Sequence, residues 1–437
     1  MASGRSGEWV NWAGDQSCRP AEVLRPASRD ELAEAVATAA GAGRKISVAG
    51  SGHSFTEAAM IDGGTLVRVE ALKGVLDADR DSGLVKVGGG TVLADLNEEL
   101  AALGLAMENL GDIDSQTIAG AISTGTHGTG ARLRNISAQV EGMELVLADG
   151  SVRHLSAATD PELLRAARVG VGALGAIAAV TLRCVPAFTL DRVDTQRPRE
   201  QVLDSFQTEA DAHDHFELFT FPYSDRALVL ERNRTDAPAS PRGRVGTYLN
   251  DVVLENWALG ALSATGRRFP NAIPSLARFA ARVATGGRTV DRSDRVFANE
   301  RRVRFTEMEY GVPREQGPEA VRRVIEWVRA NRYPVFFPIE MRVAAGDDAM
   351  ISPSHDRDTA YVAVHQYRGM EWRPYFEAVE AIMNEFGGRP HWGKRHFQTA
   401  ATLAPRYPAW AEFQRARDEL DPTRAFTNEY AARVLGP

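Results

Sequence analysis

Apolar and polar positions over the first 185 residues switch between the helical period and the strand period. Ser28 to Glu31 reads as an S-x-x-E capping box ahead of Leu32, Val36, Ala39 and Ala40, and predicts a helix that runs to Ala42 and stops at Gly43. Lys45 to Ala49 is a short β-rich run ending in Gly50-Ser51-Gly52, and Thr65–Val69 and Leu84–Val87 are further strands. Val92, Leu93, Leu96, Leu100 and Leu103 recur at helical spacing over 91–103. Glu141–Leu147 and Val152–Leu155, joined through Ala148-Asp149-Gly150, predict a hairpin. Pro161–Arg168 predicts a short helix and Leu174–Val185 a strand.

The pattern changes after residue 185. Strands at Phe216–Phe221 and Ala227–Glu231 alternate with polar stretches, and His213-Asp214-His215 reads as a solvated loop. Residues 236–300 are rich in Pro, Gly and Arg, and a mobile or helical insertion is expected there. Beyond Arg302, helices are predicted at 318–331, 375–386 and 408–420, and strands at 335–343 and 359–367. The change of pattern divides the chain into one α/β unit at 1–185 and a second unit at 186–437.

Composition narrows the class. With 437 residues, 44% apolar and 25% charged, the chain is globular and long enough for two domains. A net charge of −7 argues against a dedicated nucleic-acid binder. Cys18 and Cys184 are the only cysteines, so no disulfide framework is needed and a cytoplasmic location is expected. The N-terminal residues are polar and glycine-rich, with no apolar signal core. The uncharged run Val169–Leu182 is too short to span a bilayer, so no transmembrane segment is expected. Lysine is scarce (Lys45, Lys73, Lys86 and Lys394), which makes a lysine inside a motif stand out.

Two glycine-rich stretches carry the chemistry. Val48-Ala49-Gly50-Ser51-Gly52-His53-Ser54 follows a strand, and successive N–H groups in such a turn can cradle a pyrophosphate. It is not the G-x-G-x-x-G fingerprint, because Phe55 stands where the third glycine would be, and no G-K-[ST] follows. It is not a nucleophile elbow around Ser54, since the second glycine of G-x-S-x-G is missing, which argues against a serine hydrolase. The second stretch runs from Asn109-Leu110-Gly111-Asp112 through Thr117 and Gly120 to Ser123-Thr124-Gly125-Thr126-His127-Gly128-Thr129-Gly130. Close-approach glycines with small hydroxyls suit a long polar cofactor. Glu340 and Arg342 lie two apart, on one face if the segment is a strand. An acid there stays ionised beside the arginine and orients it. His391 and His396 flank Lys394, and either could take a proton. Neither an H-E-x-x-H pattern nor a cysteine partner is present, so no metal is expected.

Together these segments resemble the vanillyl-alcohol-oxidase type of FAD-binding domain and, within it, the aldonolactone oxidoreductases, with alditol oxidase as a near relative. The likeness extends through Asn11-Trp12-Ala13-Gly14, Gly172-Ala173-Leu174-Gly175-Ala176-Ile177, Phe305 to Tyr310, Glu340-Met341-Arg342, Arg389 to Lys394 and Phe426 to Tyr430. The resemblance implies an α+β fold: the FAD-binding domain at 1–185, then an α+β substrate (cap) domain at 186–437 whose segment from about 390 returns to the FAD domain. It implies FAD held by Val48 to Ser54, Gly111, Asp112, Thr117, Gly120, Thr124 to His127 and Ile177, with the flavin attached covalently through His53. It implies hydride transfer to flavin N5 from the C2 hydroxyl of a sugar lactone, with Glu340, Arg342, Lys394, His391 and His396 as catalytic residues. Gly111 matches an oxygen-gate position, so oxygen or another acceptor would take the electrons. Asp112 departs from alditol oxidase, which disfavours an acyclic polyol. The alternatives are an alditol or sugar oxidase producing hydrogen peroxide, and a flavin-binding protein without catalysis.

Overall fold

The computed structural model describes residues 7–240, 259–283, 286–298 and 303–437. Helix Arg29–Gly41 starts on Ser28, whose Oγ accepts from the Glu31 N–H at 3.1 Å. The reciprocal arm of the box is displaced by one residue, for Glu31 accepts from the Ala27 N–H instead. Strands Glu22–Leu24, Thr65–Arg68 and Ile46–Ala49 form a parallel sheet beside it. An antiparallel five-stranded sheet follows, in the order Val152–Ser156, Val140–Val146, Ala176–Arg183, Leu84–Gly88 and Val75–Asp79. Its Asp149-Gly150 hairpin is as expected, with Gly150 at φ +83°.

A third sheet has eight antiparallel strands. Their order is Gly287–Arg292, Thr189–Pro198, Arg226–Thr235, His215–Thr220, Ile339–Ala344, Thr359–Tyr367, Phe305–Pro313 and Arg389–Pro390. Its strands alternate strictly. Phe216, Leu218, Met308, Tyr310, Val312, Met341, Val343, Val362 and Val364 face helices Arg199–Ala212, Gly317–Ala330 and Arg373–Glu385 in one apolar core. The intervening positions, Glu217, Glu307, Glu309, Glu340, Arg342, Tyr361 and His365, therefore share the opposite face. In register, Glu217 lies opposite Arg342, Arg342 opposite Tyr361, and Glu307 opposite His365.

The strand expected at 335–343 is shorter, Ile339–Ala344, because Pro338 removes a ladder donor just ahead of it. His215 is not in a solvated loop. It opens strand His215–Thr220, is fully buried, and its Nδ1–H donates to the Thr129 carbonyl at 2.7 Å. Burial drops its pKa to about 4. The insertion expected at 236–300 falls partly outside the described residues. What is described includes helices Leu259–Arg268 and Ile273–Val283.

The C-terminal segment packs on the first unit. The Ile46 N–H donates to the Ala425 carbonyl, and Phe426 joins Leu32 and Val36 in their core. Asn428 donates to the carbonyls of Ala58 and Met60. Nearer the site, the Phe55 N–H donates to Gly393 O at 2.7 Å and Thr56 Oγ1 to Trp392 O at 3.0 Å. These bonds bring Lys394 beside the His53 loop.

Candidate active site

The glycine loop after strand Ile46–Ala49 borders a cavity. Val48, Gly50, Ser51, Gly52, His53 and Ser54 line it on one side, and Thr117, Gly120, Thr124, Gly172 and Ile177 on the other. Ala49 is buried in the strand behind. Gly52 takes φ +70°, in the left-handed region. Among the described residues, the main-chain N–H groups of Ser51 to Ser54 meet no acceptor within the protein. That is the donor set an anion requires.

A Cβ on Gly50 would lie 2.0 Å from Thr117 Oγ1. That oxygen caps helix Ile118–Ser123 through the Gly120 N–H, so it cannot swing away without losing the cap. Gly50→Ala should therefore lower the flavin content of the purified protein and its melting temperature together, the lost cap alone costing about 1 kcal/mol. Absorbance and thermal unfolding measure both, and a fully flavinated variant with unchanged Tm would refute the cradle.

A second, smaller cavity shares His53, Ser54, Gln116 and Thr124 with the first. It is lined by Gly111, Asp112, Thr126, His127, Glu307, Arg342, His391 and Lys394. Seven of these, all but Glu307, were expected from the family resemblance to serve cofactor or substrate, and the structure brings them together at one end of the channel. Gly125, at φ +75°, forms the turn that presents Thr126 and His127.

The charges in this cavity are organised by the sheet. Lys394 Nζ reaches Glu307 Oε1 at 2.5 Å and also Glu309. Burial opposes its charge, yet the two glutamates outweigh burial and hold its pKa well above that of a free lysine. Glu309 also meets His127 Nε2, and the His127 ring stacks on Tyr361 at 3.5 Å. Arg342 reaches Glu217 at 2.8 Å, Asp112 at 3.3 Å and Glu340. Burial would raise the Glu217 carboxyl, but the guanidinium groups of Arg232 and Arg342 bring it down to about 2.

Glu340 behaves otherwise than expected. It does not line the cavity but stands behind Arg342. Burial, with Asp112 and Glu217 nearby, pushes its carboxyl up to about 7 despite Arg342. Arg342 shares its charge with Glu217 and the part-buried Asp112, so it cannot hold the Glu340 carboxyl down. Two further expectations change. His396 Nε2–H donates to Tyr430 Oη at 2.8 Å, whose own proton goes to Trp392 O, so His396 lies outside both cavities. His391 does line the smaller cavity, but its Nδ1 accepts the Gly393 N–H at 3.1 Å. Burial lowers its pKa to about 3, so the ring is neutral and carries its proton on Nε2. It is a donor toward the cavity, not a base. Glu307, Glu309, Glu217 and His365 were missed. Their signal was present as E-x-E at 307–309 and as single charges inside apolar strand runs.

An FAD binding domain family matches residues 20–156, and the D-arabinono-1,4-lactone oxidase family matches residues 180–434. The chain belongs to the D-arabinono-1,4-lactone oxidase family. Across this family it is 48% identical to an L-gulono-1,4-lactone dehydrogenase of Mycobacterium tuberculosis, over 98% of this chain and 99% of that one. It is 32% identical to an L-gulonolactone oxidase of Bos taurus, with both chains fully covered. A solvent-stable cholesterol oxidase shares the fold at TM-score 0.83 and 19% identity, over 99% of this chain and 97% of that one. The family member described here is thus an FAD-dependent oxidoreductase acting on a CH–OH group. Among its described residues no helix is long and apolar enough to cross a membrane.

Proposed function

We propose that the protein oxidises the C2 hydroxyl of an aldono-1,4-lactone such as L-gulono-1,4-lactone, giving ascorbate or an analogue, by hydride transfer to flavin N5. The observation that carries this reading is the meeting, at His53, of a glycine-walled channel and a small polar cavity holding Lys394, Glu307 and Arg342. When bound, FAD supplies the hydride acceptor.

The protein's part is to hold the hydroxyl and take its proton. Lys394 spends two ammonium protons on Glu307 and Glu309, which leaves a third for the C2 oxygen. Its charge stabilises the alkoxide that develops there. Arg342 and the His391 Nε2–H supply further donors. Glu307, the cavity-wall carboxylate that pairs with Lys394, is the proton acceptor in this reading. Its pKa lies below the usual range; burial would raise it, but Lys394 and His365 outweigh burial. A weak base suffices, because the hydroxyl becomes strongly acidic as hydride leaves the carbon. Electrons then pass to oxygen or another acceptor. Gly111 leaves space on that side: a Cβ there would stand 3.3 Å from the His127 carbonyl.

The covalent flavin link through His53 belongs to the same proposal. Burial, then the charge of Arg304, lower the His53 pKa to about 4, so the imidazole is a neutral nucleophile. Trp12 stacks on it at 5.3 Å and fixes the ring. His53→Ala should release all flavin on acid precipitation, whereas the parent protein keeps it. Acid-stable flavin in the variant would refute the link. Buried free thiols at Cys18 and Cys184 support a reducing, cytoplasmic setting.

Anaerobic stopped-flow mixing tests the substrate. L-gulono-1,4-lactone should bleach the flavin and xylitol should not. Bleaching by xylitol alone would replace this reading with a polyol oxidase.

A further inference from the structure

Three large apolar side chains stand more than half exposed among the described residues: Leu76, Phe269 at 57% and Phe279 at 56%. The two phenylalanines belong to one helical hairpin, Leu259–Arg268 and Ile273–Val283. Its inner side is anchored. Ile273 and Ala277 pack on Phe336 and Phe221, Ala281 is buried, and Gln196 Nε2 donates to the Ala281 carbonyl at 2.5 Å. The outer stripe of the second helix is Ser275, Arg278, Phe279 and Arg282, at spacings that share one face.

Charge on this hairpin is of one sign. No Asp or Glu occurs from 256 to 290, in a chain whose net charge is −7. Arg288 pairs with Asp191. Among the described residues, Arg267, Arg268, Arg278 and Arg282 have no carboxylate partner. Arg268 lies over the Phe269 ring at 5.3 Å.

We propose that this hairpin docks the protein on an anionic phospholipid surface, with Phe269 and Phe279 entering the headgroup boundary and the four arginines meeting lipid phosphates. Phe279 with Arg278 and Arg282 on one exposed helical face is the composition of an interfacial contact, and Phe269 with Arg268 adds an exposed aromatic–arginine pair at the turn of the hairpin. Guanidinium groups match phosphate oxygens in pairs. A second copy of the chain is the poorer occupant, because two acid-free arginine faces repel.

Flotation of the purified, flavin-loaded protein with vesicles is the test. It should bind vesicles of mixed phosphatidylglycerol and phosphatidylcholine, ignore pure phosphatidylcholine, and dissociate as salt rises. Arg278→Glu with Arg282→Glu should weaken binding at least about 25-fold, at about fivefold for each arginine removed. Phe269→Ser with Phe279→Ser should abolish flotation while flavin absorbance and turnover in solution stay unchanged. Equal binding to both vesicle types, failure to bind either, or unaltered binding by both variants would overturn the proposal. So would a change in oligomeric mass on losing the phenylalanines with vesicle binding intact, which would make the face a protein interface.

Discussion

Lys394→Met is expected to slow anaerobic flavin reduction by lactone about 10²-fold or more, and to cost about 3–5 kcal/mol of stability. Both effects have one origin. The ammonium group stands between Glu307 and Glu309, and both carboxylates are buried. Methionine keeps the length and removes the charge, so two carboxylates face each other with no cation between them. One of them must take a proton, and the substrate oxygen loses its stabilising donor. The pH dependence identifies this cause. In the parent protein Glu309 is held well below 4.5; burial would raise it, but Lys394 and His127 prevail. Its stabilisation is present above the unfolded pKa and is lost as pH falls. In the variant the carboxyl pKa values rise, so stability is lost as pH rises instead. The gap between the two proteins should therefore widen from pH 4 to pH 7. Denaturant unfolding across that range and single-turnover kinetics at neutral pH measure the two effects. A near-normal reduction rate would remove Lys394 from the chemistry.

The roles expected of His53, Arg342 and Lys394 came from the family resemblance, while the turn-forming glycines and the scarce lysine are local signals. Gly50 and Gly52 declared themselves in this way. Glu340 and Arg342 did so through strand spacing. What stayed hidden depended on register. Nothing near Glu217 in the chain says that it lies opposite Arg342, since that pairing joins strands more than a hundred residues apart. Glu307 and Glu309 carry the same i, i+2 signature as Glu340 and Arg342, but only the sheet shows that all four share a face. The histidines failed for a different reason. Titration range suggested His391 and His396 as bases, while the Gly393 N–H and Tyr430 Oη decide where their protons reside. Tautomer is set by partners, and partners are tertiary. His215 was misread because a polar tripeptide resembles a loop until the strand beside Arg232 buries it.

Arg342→Met should also lower the reduction rate about 10²-fold, and it should move a titration that Lys394→Met leaves largely in place. Arg342 is the cation shared by Asp112, Glu217 and Glu340. Glu217 keeps Arg232 at 2.6 Å when Arg342 is lost, so it remains ionised. Glu340 keeps no such partner. Its carboxyl already lies at about 7, because burial and the neighbouring Asp112 and Glu217 raise it more than Arg342 and His365 lower it. Removing Arg342 deletes the largest of the lowering influences, so the pKa must climb further. In the parent, ionisation of Glu340 as pH passes about 7 tightens its grip on Arg342. A limb near that pH is expected in the rate of flavin reduction. In the variant the Glu340 carboxyl should titrate about one unit or more higher, and with no guanidinium to act through, the limb should vanish from the reduction rate. Glu340→Gln separates the contributions: it should erase the limb while retaining most of the rate, since glutamine keeps an amide oxygen of the same shape beside Arg342. Its stability relative to the parent should rise as pH goes from 5 to 8. The raised carboxyl binds a proton in the folded state through that window, so its contribution to the parent's stability is lost there. Taking the difference between the two proteins cancels the opposite slope from buried neutral histidines such as His53 and His215. A limb that stays fixed in both variants would mean that Glu340 does not set the state of Arg342.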